Sequence, residues 1–557
     1  MSRIDEVYAR IAEADRPEVF ITLRPEAEVR AEYERSVATG GPLAGILLAV
    51  KDNVDVGGLP TTAGCPGFAF TPEADAPAVA ALRAAGAVVL GKTNLDQFAT
   101  GLVGTRSPYG AVRDSRRPDR ISGGSSSGSA VAVALGFADI AIGTDTAGSG
   151  RVPAGLQGIV GVKPTLGVVS TDGVVPACRS YDVLTIFAAD LALADRSVAV
   201  MAKAAGTRPF PKSMPYAAPE RPVVAVPTEL PGLDDRWRAA FDDAVHRAEA
   251  AGLMIKTIDL SPFLEAARLL YDDALVAERY EAVGDYLDSV ADPGAAGLDP
   301  TVSAIIGAAD RFSAVDLLRA RRRLADLRVA AMEQWGDATV LMVPTAPAHP
   351  TLAEVAADPV GVNSRMGTYT NFCNLFDLCG LAVPAGTVIE GDGSTAQFGV
   401  TFLGVAHADA VLVDVARRFV GDDSVAPSWA EPDDAIELAV FGAHMRGGPL
   451  THELSERGAR WAGEVTTTPS YRLVALDTTP PKPGLIRDPE AGRAIRGEVW
   501  TLAPSALGEF LAALPEPMML GKVEIAAGES GPARWVVGFG CAADAGASGQ
   551  GLDRDRW

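Results

Sequence analysis

Two serines in loops of small residues have the types and spacing that favour nucleophilic chemistry. Ser125 lies in the segment SGGSSSGSA and Ser149 in the segment GTDTAGSGR, on either side of an apolar run. A helix followed by a buried strand fits that run, so folding would bring the two loops together. Because a serine hydroxyl attacks poorly at neutral pH until a base takes its proton, the pair predicts a site that also needs a base.

Lys51 is the candidate base. It directly follows the apolar run Ile46 to Val50, which is typical of a buried strand. Burial disfavours the charged ammonium form and lowers the pKa of a lysine toward neutrality. The sequence therefore predicts a lysine that can accept a proton from one of the two serines.

A competing interpretation uses a different serine. Residues 124–128, GSSSG, fit the G-x-S-x-G turn of serine hydrolases, with Ser126 as the nucleophile. This hypothesis needs a downstream acid and a downstream histidine as base, and the candidates for the base are His246, His349 and His407. It would leave Lys51 and the second serine loop without a role.

Four motifs in order resemble the amidase signature family: AVKDN, GGSSSGSA, GTDTAGSGRVPA and GIVGVKPT. The resemblance implies that Ser149 is the nucleophile, that Ser125 is a bridging serine after a cis peptide bond from Gly124, and that Lys51 is the base. It also implies an oxyanion hole built from the backbone amides of Thr146, Ala147, Gly148 and Ser149. No metal-ligand cluster or nucleotide fingerprint occurs in the sequence, so no metal and no other cofactor is predicted.

The helices and strands predicted around these residues indicate an α/β fold, in which a mixed central β-sheet is covered by helices on both faces. Helices are predicted at 4–13, 25–36, 77–85 and 234–252, and strands at 46–50, 87–90 and 223–230. Asp96 and Gln97 are expected to be structural. Arg151 could bind a substrate anion, but a structural ion pair with Asp145 is favoured.

The run LLYDDALVAERYEAVGDYL, in a helix predicted over 262–290, resembles the allophanate hydrolase branch of the family. That resemblance implies that Tyr271 and Arg279 recognise the substrate carboxylate. Eight residues of ideal helix advance about 12 Å and 80°. The two side chains would therefore meet only if the helix bends or the arginine reaches back. The alternative is that Tyr271 packs and Arg279 pairs with Glu278 or an aspartate. Residues 363–386 are also similar to that branch.

A second domain is predicted after the acidic, proline-containing linker 421–434, so that the domains are 1–420 and 435–545, with a disordered tail at 546–557. Strand-like runs and one helix near 505–514 predict a small α+β domain. It resembles the C-terminal domain of allophanate hydrolases, which is related to the γ-glutamyl cyclotransferase fold. The resemblance implies a decarboxylation step, for which the candidates are His444, Lys482 and Glu498, with His444 favoured.

Composition excludes several classes of partner. The net charge of −22 argues against nucleic acid and against anionic membrane surfaces, and no apolar window is long enough to span a bilayer. The five cysteines form no regular framework, and residues 1–20 lack the apolar core of a signal peptide. A cytoplasmic location is therefore expected.

The resemblance implies hydrolysis of allophanate, or urea-1-carboxylate, to ammonia and N-carboxycarbamate, which the second domain would decarboxylate. It also implies a homodimer. No biotin-attachment segment is evident, so a separate urea carboxylase is expected to supply the substrate, unless triazine or biuret breakdown does. Two alternatives stay open: a general amidase whose second domain is not catalytic, and a non-catalytic scaffold.

Overall fold

A mixed eleven-stranded β-sheet organises the first of two units into which the chain divides in this computed structural model. The structure describes residues 2–422, 435–528 and 531–557, without the side chains at 204, 205, 271 and 272. The first unit comprises Met1–Pro209 and Val223–Ala430, and the second comprises Phe210–Pro222 and Glu431–Trp557. Most of the linker predicted at 421–434 lies outside the described residues.

The strands of the first sheet run in the order β1-β3-β2-β4-β6-β5-β10-β11-β9-β7-β8. Their bounds are β1 Phe20–Leu23, β2 Leu47–Lys51, β3 Val88–Thr93, β4 Ile140–Asp145, β5 Val160–Lys163, β6 Val183–Ala188, β7 Val223–Pro227, β8 Met254–Ile258, β9 Val340–Pro344, β10 Cys379–Ile389 and β11 Thr395–Gly404. Strand β2 pairs in parallel with both β3 and β4, whereas β4 and β6 are antiparallel. The predicted mixed sheet of an α/β fold is confirmed.

The helices of the first unit are α1 Arg3–Ala14, α2 Glu26–Thr39, α3 Pro77–Ala84, α4 Ser127–Ala134, α5 Val152–Gln157, α6 Leu191–Ala205, α7 Asp235–Ala250, α8 Ser261–Asp272, α9 Ala277–Ser289, α10 Pro300–Gly307, α11 Ala314–Trp335, α12 Leu352–Ala357, α13 Gly361–Met366, α14 Asn371–Leu375 and α15 Asp409–Val420. Helix α4 consists of small and apolar residues and is buried in the core between the N-terminal segment and the sheet. Its Gly128 has no room for a side chain, because a Cβ there would lie 2.4 Å from the Val19 carbonyl oxygen.

The prediction of a single helix over 262–290 is wrong. Helix α8 ends at Asp272, a 3₁₀ turn covers Ala274–Val276, and α9 begins at Ala277. The break occurs because Asp273 adopts an extended backbone and its carboxylate accepts the amide N–H of Ala274, which competes with helical pairing. The eight-residue spacing on one ideal helix therefore does not describe positions 271 and 279.

The second unit contains a five-stranded sheet, β13-β16-β12-β18-β17, and a three-stranded sheet, β15-β14-β19. The elements are β12 Ile436–Val440, α16 Thr451–Ser455, β13 Arg460–Thr466, β14 Tyr471–Leu476, β15 Lys482–Arg487, β16 Arg496–Leu502, α17 Pro504–Ala513, β17 Met518–Ile525, β18 Arg534–Cys541, α18 Ala543–Ser548 and β19 Gln550–Leu552. The small α+β domain is confirmed. The strand-like runs of the sequence are IELAVFGAH, YRLVALD, AIRGEVWTL, KVEIA and RWVVGFGC, and β13, β15 and β19 are not among them.

Two segments of the second unit differ from the sequence-based expectation. The tail expected to be disordered from 546 includes β19, which pairs with β14, because the free edge of β14 offers backbone partners that composition does not reveal. Residues 210–222, expected in the first domain, belong to the second unit. There the amide of Tyr216 donates to the Gly458 carbonyl, and the Lys212 carbonyl accepts the hydroxyl of Ser505.

Candidate active site

Parallel pairing brings the predicted base and the predicted nucleophile to one edge of the first sheet. The register of β2 and β4 places Val50 opposite Ile142, so both strands end at the same edge. Lys51 is the last residue of β2, and the loop that carries Ser149 follows β4. Ser125 lies just before α4, which leads back into β4. The local sequence therefore places Lys51, Ser125 and Ser149 close together at this edge of the sheet.

The three side chains form a continuous hydrogen-bonded chain. The Nζ atom of Lys51 lies 2.8 Å from the Ser125 hydroxyl, which lies 3.0 Å from the Ser149 hydroxyl. Lys51 also donates to the Thr144 hydroxyl at 2.6 Å. Lys51 and Ser125 are fully buried and Ser149 is 2% exposed. These distances permit proton transfer from Ser149 through Ser125 to the lysine.

Burial sets the protonation of the lysine. Removal from water lowers the pKa of Lys51 from 10.5 to about 7, although three buried carboxylates act in the opposite direction. The charged form loses solvation, and the surrounding hydroxyls replace it only in part. A substantial neutral fraction therefore exists near neutral pH, as a general base requires.

The peptide bond between Gly124 and Ser125 is cis, as predicted. Gly124 packs so closely on Asp96 that a Cβ at this position would lie 2.2 Å from the carboxylate. Asp96 accepts the amide N–H groups of Gly104 and Arg106, and its own amide donates to the Ser125 carbonyl. Asp96 therefore holds the loop that presents Ser125, in agreement with the structural role expected for it.

A buried ion pair shapes the turn that carries Ser149. The guanidinium of Arg151 donates to both carboxylate oxygens of Asp145, each at 2.9 Å, and both side chains are fully buried. Burial pushes the pKa of Asp145 upward, but the Arg151 charge and its hydrogen bonds hold that pKa below its usual value. The structural ion pair favoured for Arg151 is confirmed.

The structure corrects one member of the predicted oxyanion hole. The amide of Gly148 donates to Asp145 Oδ1 at 2.9 Å, so the carboxylate that pairs with Arg151 also fixes the backbone of this turn. Within residues 2–422, the amides of Thr146, Ala147 and Ser149 donate to no protein group. These three amides are therefore the ones that remain for an oxyanion.

The alternative nucleophile is placed differently. The Ser126 hydroxyl donates to the Thr144 carbonyl at 3.0 Å and accepts the Thr144 amide at 3.2 Å, so it fastens α4 to β4. His349 is buried, with its ring nitrogens against Ile121 and Arg117, and burial lowers its pKa to about 4. The interpretation with Ser126 as nucleophile gains no support from these contacts.

The predicted carboxylate-recognition pair is described only in part. The backbone of Tyr271 lies near the end of α8, and its side chain is outside the described structure. Arg279 on α9 is 1% exposed and donates to the Thr100 hydroxyl at 3.0 Å. The alternative pairing of Arg279 with Glu278 is not what forms, because Glu278 accepts from Arg321 and from the Ser180 amide.

The second unit brings two of its three predicted residues together. His444 and Lys482 line one cavity of about 20 Å³. The Nε2 atom of His444 lies 2.9 Å from the Glu453 carboxylate, and its ring stacks on Phe539 at 4.9 Å. Burial lowers the pKa of His444, and the contact with Glu453 acts against that effect.

Glu498 does not line that cavity. It is 3% exposed on β16, and its carboxylate accepts the amide of Arg446 at 2.8 Å. The carboxylate thus fixes the loop after β12 rather than facing solvent.

Sequence reasoning missed three residues of the two sites. The Thr144 hydroxyl accepts a hydrogen bond from Lys51. The Asp182 carboxylate accepts one from the Thr146 hydroxyl. The Glu453 carboxylate contacts the His444 ring nitrogen. The only sequence signal for Thr144 is its polarity near the end of a buried strand. Asp182 and Glu453 lie in loops or short helices with no pattern that marks them.

Metal ligands and membrane-spanning helices are both absent from the part of the chain that the structure describes. Within residues 2–422, 435–528 and 531–557, no group of three or more His, Cys, Asp or Glu side chains is arranged to hold a metal ion. In the same residues, no helix is both long enough and apolar enough to cross a membrane.

Comparison with known proteins gives two family matches. The family model "Amidase" matches residues 3–413, and the model "Allophanate hydrolase C-terminal domain" matches residues 436–552. The structure of Kluyveromyces lactis allophanate hydrolase is 37% identical with a TM-score of 0.86, over 99% of this chain and 95% of that one.

Two curated relatives extend the comparison. Urea amidolyase of Lachancea kluyveri is 43% identical over 90% of this chain, which spans 28% of that relative's length. The 2-amino-5-chloromuconic acid deaminase of Comamonas testosteroni is 34% identical, over 68% of this chain and 81% of its own length. The second relative matches a shorter part of this chain than the first does.

Proposed function

Since this chain belongs to the amidase family, we propose that it hydrolyses allophanate through an acyl-enzyme on Ser149. The observation that carries the proposal is the buried chain of hydrogen bonds from Lys51 through Ser125 to Ser149. The similarity to an allophanate hydrolase over nearly the whole chain supports the choice of substrate.

In the first step, neutral Lys51 accepts the Ser125 proton while Ser125 accepts the Ser149 proton. The Ser149 oxygen attacks the terminal amide carbon of H₂N–CO–NH–COO⁻ and forms a tetrahedral oxyanion, which the free amides of Thr146, Ala147 and Ser149 stabilise. The C–N bond breaks, and the proton returns from Lys51 through Ser125 to the departing ammonia. The acyl group –CO–NH–COO⁻ remains on Ser149.

In the second step, water attacks the acyl carbon while Lys51 and Ser125 again take and return the proton. The ester bond to Ser149 breaks, and N-carboxycarbamate leaves. Arg279 would hold the substrate carboxylate in both steps. Its burial and its contact with Thr100 support this role, because a guanidinium removed from water interacts strongly with a carboxylate.

The second unit would decarboxylate N-carboxycarbamate. The C–N bond breaks with loss of CO₂, and the nitrogen keeps the electron pair and takes a proton. Lys482 would hold a carboxylate and His444 would deliver the proton, and their shared cavity supports this assignment. Glu498 would maintain the neighbouring loop.

One observation favours the alternative of a general amidase with a non-catalytic second unit. The cavity beside His444 has a volume of about 20 Å³, which is room for about one water molecule. Decarboxylation there therefore requires the surrounding side chains to move apart. A second unit that only supports assembly would need no such opening.

We also propose a source of the substrate, a cellular location and an oligomeric state. A reaction that carboxylates urea, in a urea carboxylase, would supply the substrate, and the similarity to urea amidolyases supports that link. A cytoplasmic location is supported by five free cysteines, four of them buried. A homodimer is proposed from the family resemblance.

The test is ammonia release from fresh allophanate beside acetamide, malonamate and biuret, with the wild-type protein and Arg279→Ala. We expect selective turnover of allophanate, and a loss of about 10²-fold or more in kcat/KM for the variant, because a charge-assisted contact is removed. Arg321→Ala is the matched control, since Arg321 is half exposed and pairs with Glu278. Equal turnover of the neutral amides would instead establish the general amidase.

A further inference from the structure

A cavity of about 340 Å³ in the first unit carries positive charge without a described acidic neighbour in its wall. Arg268 of α8 and Arg365 of α13 line it, together with Ser364, Thr368 and Asn371. None of the described residues in its wall is a carboxylate.

Neither guanidinium is held in a buried ion pair with a described side chain, although Glu265 and Asp273 line an adjoining cavity together with Arg268. Arg268 forms no ion pair with any side chain in the described part of the chain, and Glu265, one turn earlier on α8, pairs with Arg323 at 2.7 Å. The carboxylate of Asp358 lies 3.6 Å from Arg365, with both side chains more than half exposed. Such an exposed pair contributes little and can yield to a stronger anion.

Asn371 adds a hydrogen-bonding group to the same wall. Its side chain is 6% exposed, and its oxygen has no hydrogen-bond partner among the described groups. Its amide nitrogen reaches only the Ala267 carbonyl, at 3.4 Å. A buried acceptor without a partner is costly, so a ligand that brings an N–H group would be favoured here.

Asn371 in the cavity wall is the sequence neighbour of a residue that packs on the nucleophile turn. Thr370, next to Asn371, packs directly on Gly148, where a Cβ would lie 2.3 Å from the threonine hydroxyl. The Thr370 carbonyl accepts from Arg151 at 3.1 Å. One short segment therefore faces the cavity on one side and the turn that carries Ser149 on the other.

The opposite wall is one face of α8. Leu264, Ala267 and Arg268 line the cavity at the spacing of one helix face. The cavity thus lies between the segment next to Thr370 and this face of α8.

We propose that this cavity is the entry site of a small ureido carboxylate, which Arg268 and Arg365 attract and Asn371 orients before it reaches Ser149. The inference rests on the proposed function. The physical reason is that an anion approaching a chain of strongly negative net charge is repelled, and a local cationic surface restores a high encounter rate. Neither arginine takes part in bond breaking.

The experiment measures kcat and kcat/KM for allophanate at about 20 and 300 mM salt, where screening differs strongly. The double variant Arg268→Gln, Arg365→Gln is expected to lose about tenfold in kcat/KM at low salt, to keep kcat within about twofold, and to lose most of its salt dependence. The double substitution to lysine is expected to restore most of kcat/KM. Arg319→Gln, on the exposed face of α11, removes the same kind of charge elsewhere and should change little.

Two results would contradict the inference in different ways. If the wild-type protein releases ammonia from allophanate and the double glutamine variant has an unchanged kcat/KM, or loses kcat at constant KM, the cavity is not an entry site. If the wild-type protein releases no ammonia from allophanate, the proposed function is itself wrong, and this inference is wrong with it.

Discussion

Lys51 in the first unit and His444 in the second are both buried titratable groups whose pKa burial lowers, but their immediate partners differ. Lys51 contacts hydroxyls, and one of them leads on to Ser149. His444 contacts a carboxylate and an aromatic ring. The first environment can pass a proton to and from a nucleophile. The second has no nucleophile in contact with the histidine among the described residues, so it suits proton delivery without a covalent intermediate.

Removal of the nucleophile should give the largest difference between the reactions of the two units. We expect Ser149→Ala to lower ammonia release from allophanate by about 10⁵-fold, because covalent catalysis is lost. Decarboxylation of N-carboxycarbamate supplied to the same variant should continue.

Ser127→Ala is the matched control for this variant, since Ser127 begins α4 directly after the first serine loop and its hydroxyl reaches only the Asn94 carbonyl, at 3.4 Å. It should retain activity within a few-fold. If Ser149→Ala releases ammonia within tenfold of the wild-type rate, Ser149 is not the nucleophile.

The next largest effect concerns the pKa of Lys51. The neutral form is the base, so lowering the pH through about 7 protonates it, and kcat/KM should fall about tenfold per pH unit below that value and level off above it. Lys51→Arg stays charged at all these pH values and should lose about 10³-fold.

A pH–rate profile of the first step, measured by ammonia release, checks the lysine prediction. A profile flat from pH 5 to 9 would show that another group is the base. The same profile in His444→Ala should be unchanged, which separates the two titrating groups.

The smallest of these three effects is expected in the second unit. His444→Ala should slow the loss of CO₂ from N-carboxycarbamate by about 10²-fold, because a positioned proton donor is removed. First-step ammonia release should stay at the wild-type rate. The intermediate can be followed by ¹³C NMR beside the ammonia assay.

Phe510→Leu is a packing control for the histidine variant, since that ring also contacts His444. If the intermediate decays equally fast in His444→Ala and in wild type, the second unit is not catalytic through this residue, and the general amidase alternative gains weight.

The sequence predicted the geometry of the first site well because its residues lie in short contiguous motifs beside strand ends. Lys51 ends one strand and Ser149 follows another, the apolar runs of both strands are visible in the sequence, and parallel pairing then brings the two residues together. What the motifs could not reveal is which amides stay free. The clamp of Asp145 on Gly148 depends on the orientation of one carboxylate, which no spacing rule specifies.

The second site was less predictable because its groups come from separated segments. Glu453 meets His444 across a turn, and Lys482 reaches the same cavity from the start of β15. The helix break at Asp273 has a similar origin. Helical periodicity continues through 262–290, while a local side-chain hydrogen bond ends the helix. The pairing of β19 with β14 likewise depends on a distant edge.

The membership of Phe210–Pro222 in the second unit means that the chain passes between the two units three times, because that segment is flanked on both sides by residues of the first unit. A gene truncated before 435 would therefore encode an internal loop whose partners, including Gly458, had been removed. Loss of the second unit in evolution, or its exchange for another, would require a matching change in the middle of the first.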